Sequence, residues 1–283
     1  MALKDILVHL DSDNRSSARL SIAAGLARRH AAHLIGLFVV DVPRAEYFYG
    51  SAMTFMGPEQ LIDRFRQESA EAARKVEAQF QDLIRREGIE GEWRQVEDAT
   101  GAAVSLHARY ADITVLGQPN YHEFGDVAAR DAVVTTALMS SGRPVLTIPY
   151  AGNFPVVGDR VLVAWNASRE ATRAVNDAMP LLEKASMVTI LAVNPRGGIQ
   201  GHGDVPAADI ALHLARHGVR AEAAHTVTED IGDGDTLLSY AADIGADLIV
   251  AGGYGHSRAR EIMFGGVTRS LLRAMTVPVL LSH

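Results

Sequence analysis

Two segments of the chain occur twice, and this repeat constrains the architecture more than any single motif. Ala111-Asp112-Ile113-Thr114-Val115-Leu116-Gly117 matches Ala246-Asp247-Leu248-Ile249-Val250-Ala251-Gly252 at an offset of 135 residues. Arg143-Pro144-Val145-Leu146-Thr147-Ile148 matches Val277-Pro278-Val279-Leu280-Leu281-Ser282 at an offset of 134. The beginnings repeat as well. The apolar run at residues 5–10 ends in Asp11-Ser12-Asp13-Asn14, and the run from Arg160 ends at Asn166-Ala167-Ser168, so that Asp11 aligns with Asn166 at an offset of 155. The fall from 155 to 135 means that the first half carries about 20 extra residues in its middle. A chain of 283 residues accommodates two units of about 140 comfortably.

Within each unit, apolar strand runs alternate with helical periodicity. The first strand leads to a helix ending near Arg29 and a strand from His33 to Val40. Its counterpart leads to a helix from Glu170 to Glu183 and a strand from Val188 to Val193. Such alternation predicts α/β units with parallel sheets. We expect domains at 1–150 and 159–283, joined by a Gly/Pro-containing linker from Tyr150 to Asp159. The duplicated Pro-Val-Leu segments are expected to pair with each other and make the chain an intramolecular pseudo-dimer, since an open strand edge invites association.

The insertion falls at about 43–87. Leu61, Phe65, Ala72, Val76, Phe80, Leu83 and Ile84 recur at helical spacing, so Pro58 to Glu87 predicts a long amphipathic helix. The preceding residues 44–57 hold Tyr47, Phe48, Tyr49, Met53, Phe55 and Met56 without a period. Such a stretch serves either as an adaptable apolar surface for a protein partner or small apolar ligand, or as a cover over a domain junction.

The second half contains the densest functional signal. The buried-strand run Leu248-Ile249-Val250-Ala251 breaks into Gly252-Gly253-Tyr254-Gly255, and Gly265-Gly266 precede an apolar-periodic segment opened by Val267-Thr268. Strand, glycine turn, spacer, glycine pair and helix start form a pattern that brings backbone amides close to phosphate, because glycine has no Cβ and a helix N-terminus has unpaired N–H groups. Gly252-x2-Gly255-x9-Gly265-Gly266 resembles the phosphate-binding signature of the universal stress protein family, G-x2-G-x9-G-(S/T), with Gly266 standing where the family has Ser or Thr.

The resemblance covers both halves. It implies two tandem open-twisted, five-stranded parallel sheets of the Rossmann-like, adenine nucleotide alpha-hydrolase-like class. It also implies ATP or another adenine nucleotide as ligand, with Mg possible beside it. Carried over residue by residue, Ala164 lines the base pocket, Asn166 stands at the adenine-facing aspartate, and Val193 ends the strand whose backbone meets adenine. Gly252, Gly255, Gly265, Gly266, Val267 and Thr268 form the phosphate loops, and His256 stands beside them. The first half keeps Asp11 but reads Gly117-Gln118-Pro119-Asn120 after its fourth strand. Proline has no N–H to offer an anion, and Asp131-Ala132 replace the glycine pair, so this half reads as a degenerate and mainly structural copy.

Composition excludes several alternatives. A net charge of −7 opposes a nucleic-acid partner, and zero cysteines rule out disulfides and thiolate metal sites. No apolar run approaches the roughly 20 residues of a membrane span. The opening MALKDILVHLD reads as a strand rather than a signal peptide, so a cytoplasmic location is expected. Asp209, His213 and His217 share one helical stripe. They are read as a solvated face, or as zinc ligands completed by a group such as His202. Asp233 and Asp235 read as a turn and N-cap for a helix from Thr236 to Ile244. Arg258 and Arg260 are the cations nearest the glycine loops, and no general base stands beside them. The expectation is a stress-response regulatory protein that binds nucleotide in its second half and hydrolyses it slowly at most, as an intramolecular pseudo-dimer alone or as a homodimer of such chains. The alternative is a nucleotide-independent interaction module that uses residues 44–57.

Overall fold

An aspartate from later in the chain starts the first strand of each half. Asp112 Oδ2 accepts the amides of Lys4 (2.6 Å) and Asp5 (3.1 Å), which begin β1 (Asp5–Leu10). Asp247 does the same for β6 (Arg160–Ala164), accepting from Gly158 (2.7 Å), Asp159 (3.0 Å) and Arg160 (3.2 Å). These contacts come from a computed structural model that describes residues 2–42, 58–118, 127–195, 205–254 and 266–283.

The first half runs β1, α1 (Ser16–His30), β2 (His33–Val40), α2 (Pro58–Glu87), β3 (Gly91–Glu97), α3 (Thr100–Ala108), β4 (Ile113–Gly117), α4 (Val127–Ser141) and β5 (Val145–Ile148). The second runs β6, α5 (Arg169–Leu182), β7 (Met187–Val193), α6 (Ala208–Arg216), β8 (Ala221–Thr226), α7 (Asp233–Asp243), β9 (Leu248–Gly252), α8 (Gly266–Ala274) and β10 (Val279–Ser282). The expected α/β class holds, in the form of one ten-stranded sheet of order β3-β2-β1-β4-β5-β10-β9-β6-β7-β8. Every strand pair is parallel except β5 with β10, which are antiparallel with Leu146 opposite Leu280. The duplicated Pro-Val-Leu segments therefore close each other's edges.

Alternation along the strands feeds two cores. Ile6, Val8 and Leu10 pack in one layer with α1, α2 and α5 residues, and Leu7 packs in the other with α3, α4, α7 and α8 residues. The central strands are buried on both faces, whereas β3 and β8 at the outer edges are half-exposed, as doubly covered parallel sheets require. The long helix α2 has the bounds that its periodicity predicts. It packs Phe80 onto β2 at Gly36, where a Cβ would come within 2.8 Å of the ring, and Trp93 stacks beside Phe80 at 5.7 Å.

Further contacts fasten the halves together. Gln118 Nε2 donates to Leu272 O on α8 (2.7 Å) while its Oε1 accepts from Tyr150 N (2.9 Å). Arg29, at the end of α1, donates to Val157 O (3.0 Å) and Lys184 O (2.6 Å). One expected boundary differs. The helix expected from Thr236 begins at Asp233 with Gly232 as N-cap, so Asp233 and Asp235 belong to its first turn. Negative charge is stable there because the helix dipole presents its positive end. Residues 44–57, Pro119 and Asn120 lie outside the described residues.

Candidate functional site

In an open parallel sheet, ligands bind beyond the strand C-termini where the chain reverses its direction of winding. In the second half that point lies between β6 and β9. A crevice of about 160 Å³ sits there, enclosed on its apolar side by Ala164, Leu191, Val193, Leu237 and Ala251. Its polar side is formed by Asn166, Ser168, Glu170, Asp233, Gly252, Gly266 and Thr268. The structure thus brings Ala164, Asn166, Val193, Gly252, Gly266, Val267 and Thr268 together from four elements that are distant in sequence. Gly255, His256 and Gly265 lie outside the described residues.

Three helices direct their N-terminal turns at this crevice. α5 starts at the Ser168 N-cap, whose Oγ accepts Ala171 N at 3.1 Å, and has Glu170 in its first turn. α7 has Asp233 and Asp235 in its first turn, whereas α8 has no acidic residue there. The positive end of a helix attracts anions, and its first four N–H groups have no partner within the helix. In α5 and α7 the positive end of the helix already lies beside the helix's own carboxylates, Glu170, Asp233 and Asp235, whereas the first turn of α8 contains none. Among the described residues, nothing lies within 4 Å of where a Cβ on Gly266 would be.

Individual residues behave differently from the simplest reading of the sequence. Gly252 looks like room for phosphate, yet a Cβ there would stand 2.6 Å from Ala171 N and from the carbonyl carbon of Glu170. Its bare Cα is what lets the first turn of α5 pack onto β9. Asn166 Oδ1 accepts Ser168 N at 3.1 Å, so one lone pair shapes the turn into α5 and the amide group is left for other contacts. Thr268 is buried, and its Oγ1 accepts Tyr254 N at 3.3 Å, which anchors the glycine loop to α8. Ala167, Asn194 and Tyr254, at the ends of β6, β7 and β9, all hold positive φ (56°, 47° and 58°). Such strain in residues other than glycine concentrates where function demands a shape. Sequence reasoning missed Ser168, Glu170 and Leu237 and read Asp233 as turn chemistry. The available signal was that each stands just after a strand C-terminus or in the helix turn that follows one.

The first half has a corresponding crevice of about 960 Å³ between β1 and β4. Asp11 Oδ1 accepts Asp13 N (3.0 Å), the same turn that Asn166 makes. The helices differ, however. α4 begins at Val127, so Val133 and Val134, which correspond to Val267 and Thr268, lie in its second turn. There the amides are taken by carbonyls four residues earlier, and no free N–H group is left for phosphate. In α6, the His213 and His217 rings lie 4.8 Å apart, and the described residues contain no group of three His, Asp or Glu placed to hold a metal.

The model of the Universal stress protein family matches residues 158–283. The C-terminal half belongs to the universal stress protein family. Over its whole length the chain has the fold of a tandem universal stress protein. A universal stress protein from Archaeoglobus fulgidus superposes with a TM-score of 0.76 at 19% identity, covering 98% of this chain and 95% of that one. A putative universal stress protein from Pseudomonas aeruginosa superposes at 0.56 with 14% identity, covering 99% and 93%. At these identities the likeness is one of fold, and it places both halves in universal stress architecture. No curated protein matches the sequence.

Proposed function

We propose that this universal stress protein is a stress-response regulator that binds one adenine nucleotide of the ATP type per chain, in its C-terminal half. The observation that carries the reading is the first turn of α8. It is free of carboxylates, is opened by a glycine with space above it, and borders the same crevice as the apolar wall of Ala164, Leu191 and Val193. That wall suits a base, and the helix start suits phosphate. Glu170 and Asp233 are the carboxylates that the described wall offers to a hard cation such as Mg accompanying the phosphates, Asp233 with one oxygen already accepting from Asn194. No Lys or Arg lines the described wall. Phosphoryl transfer depends on positioned positive charge, so the arrangement favours binding with slow hydrolysis at most.

Calorimetry with ATP and Mg tests the proposal. No described residue stands within 4 Å of a Cβ added at Gly266, so Gly266→Val directs its side chain into the space proposed for phosphate. ATP binding is expected to weaken at least tenfold, about 1.4 kcal/mol, while the melting temperature holds. A Gly266→Val protein that binds ATP as tightly as the parent sinks the assignment.

A further inference from the structure

We infer that Thr135, on α4 of the first half, is a positioning residue for the nucleotide site of the second half, because it fixes from across the junction the glycine turn that follows β9. The inference rests on the nucleotide reading of that site.

Tyr254 stands in this turn in the left-handed region, at φ 58°. A residue other than glycine is strained there, so its neighbours must hold the conformation in place. Two contacts hold it at opposite ends. Its amide donates to Thr268 Oγ1 on α8 at 3.3 Å, and its hydroxyl shares a hydrogen bond of 2.9 Å with Thr135 Oγ1. The second contact joins residues 119 positions apart and crosses from one half to the other. Leu138, on the next turn of α4, packs closely on the preceding residue. A Cβ on Gly253 would stand 2.7 Å from Leu138 Cδ2. Gly253 N in turn donates to Ser282 O at 2.8 Å. α4 therefore grips the turn at both Gly253 and Tyr254.

The first half also holds α8, the other element on the phosphate side. The buried Gln118 donates from Nε2 to Leu272 O at 2.7 Å, in the last turn of that helix. The last four carbonyls of a helix have no partner within it, so this bond engages a group that α8 leaves over. The first half's own turn is braced differently. Gly117, the counterpart of Gly252, lies beneath the buried Arg19 of α1, whose Nη1 occupies the place of a Cβ. Arg19 Nε finds no acceptor among the described residues. That turn is held from within its half, and the turn after β9 is held by both halves. Backbone that is to meet phosphate binds best when it is ordered beforehand, since ordering it on binding subtracts from affinity.

Calorimetry with ATP and Mg on the full chain tests the inference through Thr135→Val, Thr135→Ser, Tyr254→Phe and the double variant Thr135→Val/Tyr254→Phe. Thr135→Val and Tyr254→Phe should each weaken ATP binding roughly fivefold, the size of one neutral hydrogen bond. Thr135→Ser keeps the hydroxyl and should bind as the parent does. The double variant should lose no more than either single one, because both break the same bond, whereas independent losses would multiply to roughly 25-fold. Without nucleotide, amide hydrogen exchange at Gly253 and Tyr254 should quicken in Thr135→Val and hold in Thr135→Ser. The inference alone is overturned if the parent binds ATP and Thr135→Val binds it as tightly, if Thr135→Ser loses as much as Thr135→Val, or if the single losses multiply. A parent that binds no ATP overturns the proposed function and, with it, the role inferred for Thr135.

Discussion

Gly252 shows how one residue type can satisfy two demands that a sequence cannot separate. A glycine after a buried strand reads as space for a ligand, and here the space belongs to α5, whose backbone lies 2.6 Å from where a Cβ would stand. Because that neighbour is backbone, it cannot rotate away. Gly252→Val is expected to destabilise the protein by about 1–3 kcal/mol, the usual cost of forced overpacking. Thermal or urea unfolding checks this, and a variant as stable as the parent would show that α5 yields. Gly266 is the opposite case, with open space above it, so substitutions there report on ligand rather than on fold. Asn166 was expected at the site from the family resemblance, and it lines the crevice after β6. That its carbonyl is engaged by Ser168 N was not legible, because the turn forms only once α5 is docked.

At the level of elements, the decisive difference between the halves is where a helix begins. α4 and α8 occupy equivalent places, but α4 starts at Val127 and α8 at Gly266, so only the latter brings to its crevice first-turn amides that have no partner within the helix. The sequence indicated the degeneracy through Pro119 and Asp131, yet the loss of amides follows from helix length. Strand β5 presents a second feature. It is buried at the junction with β10, and Thr147 there has no exposure and a hydroxyl without a partner. A buried unsatisfied hydroxyl costs roughly 1–3 kcal/mol, so Thr147→Val, of nearly the same shape, is expected to stabilise the chain by about 1 kcal/mol. A lowered midpoint in denaturant would mean that the hydroxyl has a partner, such as an ordered water.

For the molecule as a whole, acid should loosen the junction between the halves. His30, at the end of α1, is lowered to about 4 by burial first and then by Lys184 and Arg29, and its Nε2 has no partner. His9 is lowered to about 4 as well. A histidine that is easier to protonate when unfolded favours the unfolded chain in acid. The stability that the two neutral imidazoles permit is present above pH 6.5 and is lost as pH falls from there towards about 4. Melting temperature should therefore fall across that window, and His30→Gln should flatten the slope. An unchanged slope would place the acid sensitivity elsewhere. Through Arg29 and Lys184 this junction joins α1 to the loop between α5 and β7, contacts between residues 155 positions apart.

The sequence by itself determined the duplication, the α/β class, every strand but β3 and β8, the bounds of α2 and the half that keeps the glycine pattern. Each of these is written in local periodicity or in direct repetition, which survive without knowledge of distant contacts. Only the tertiary structure decided that the two sheets are one, that Gly252 serves packing, that α8 begins at its crevice whereas α4 begins before its own, and that Arg19 closes over Gly117. Those outcomes depend on which surfaces meet after the chain has crossed over itself. A covered amide or an orphaned guanidinium nitrogen exists only once its neighbours are in place.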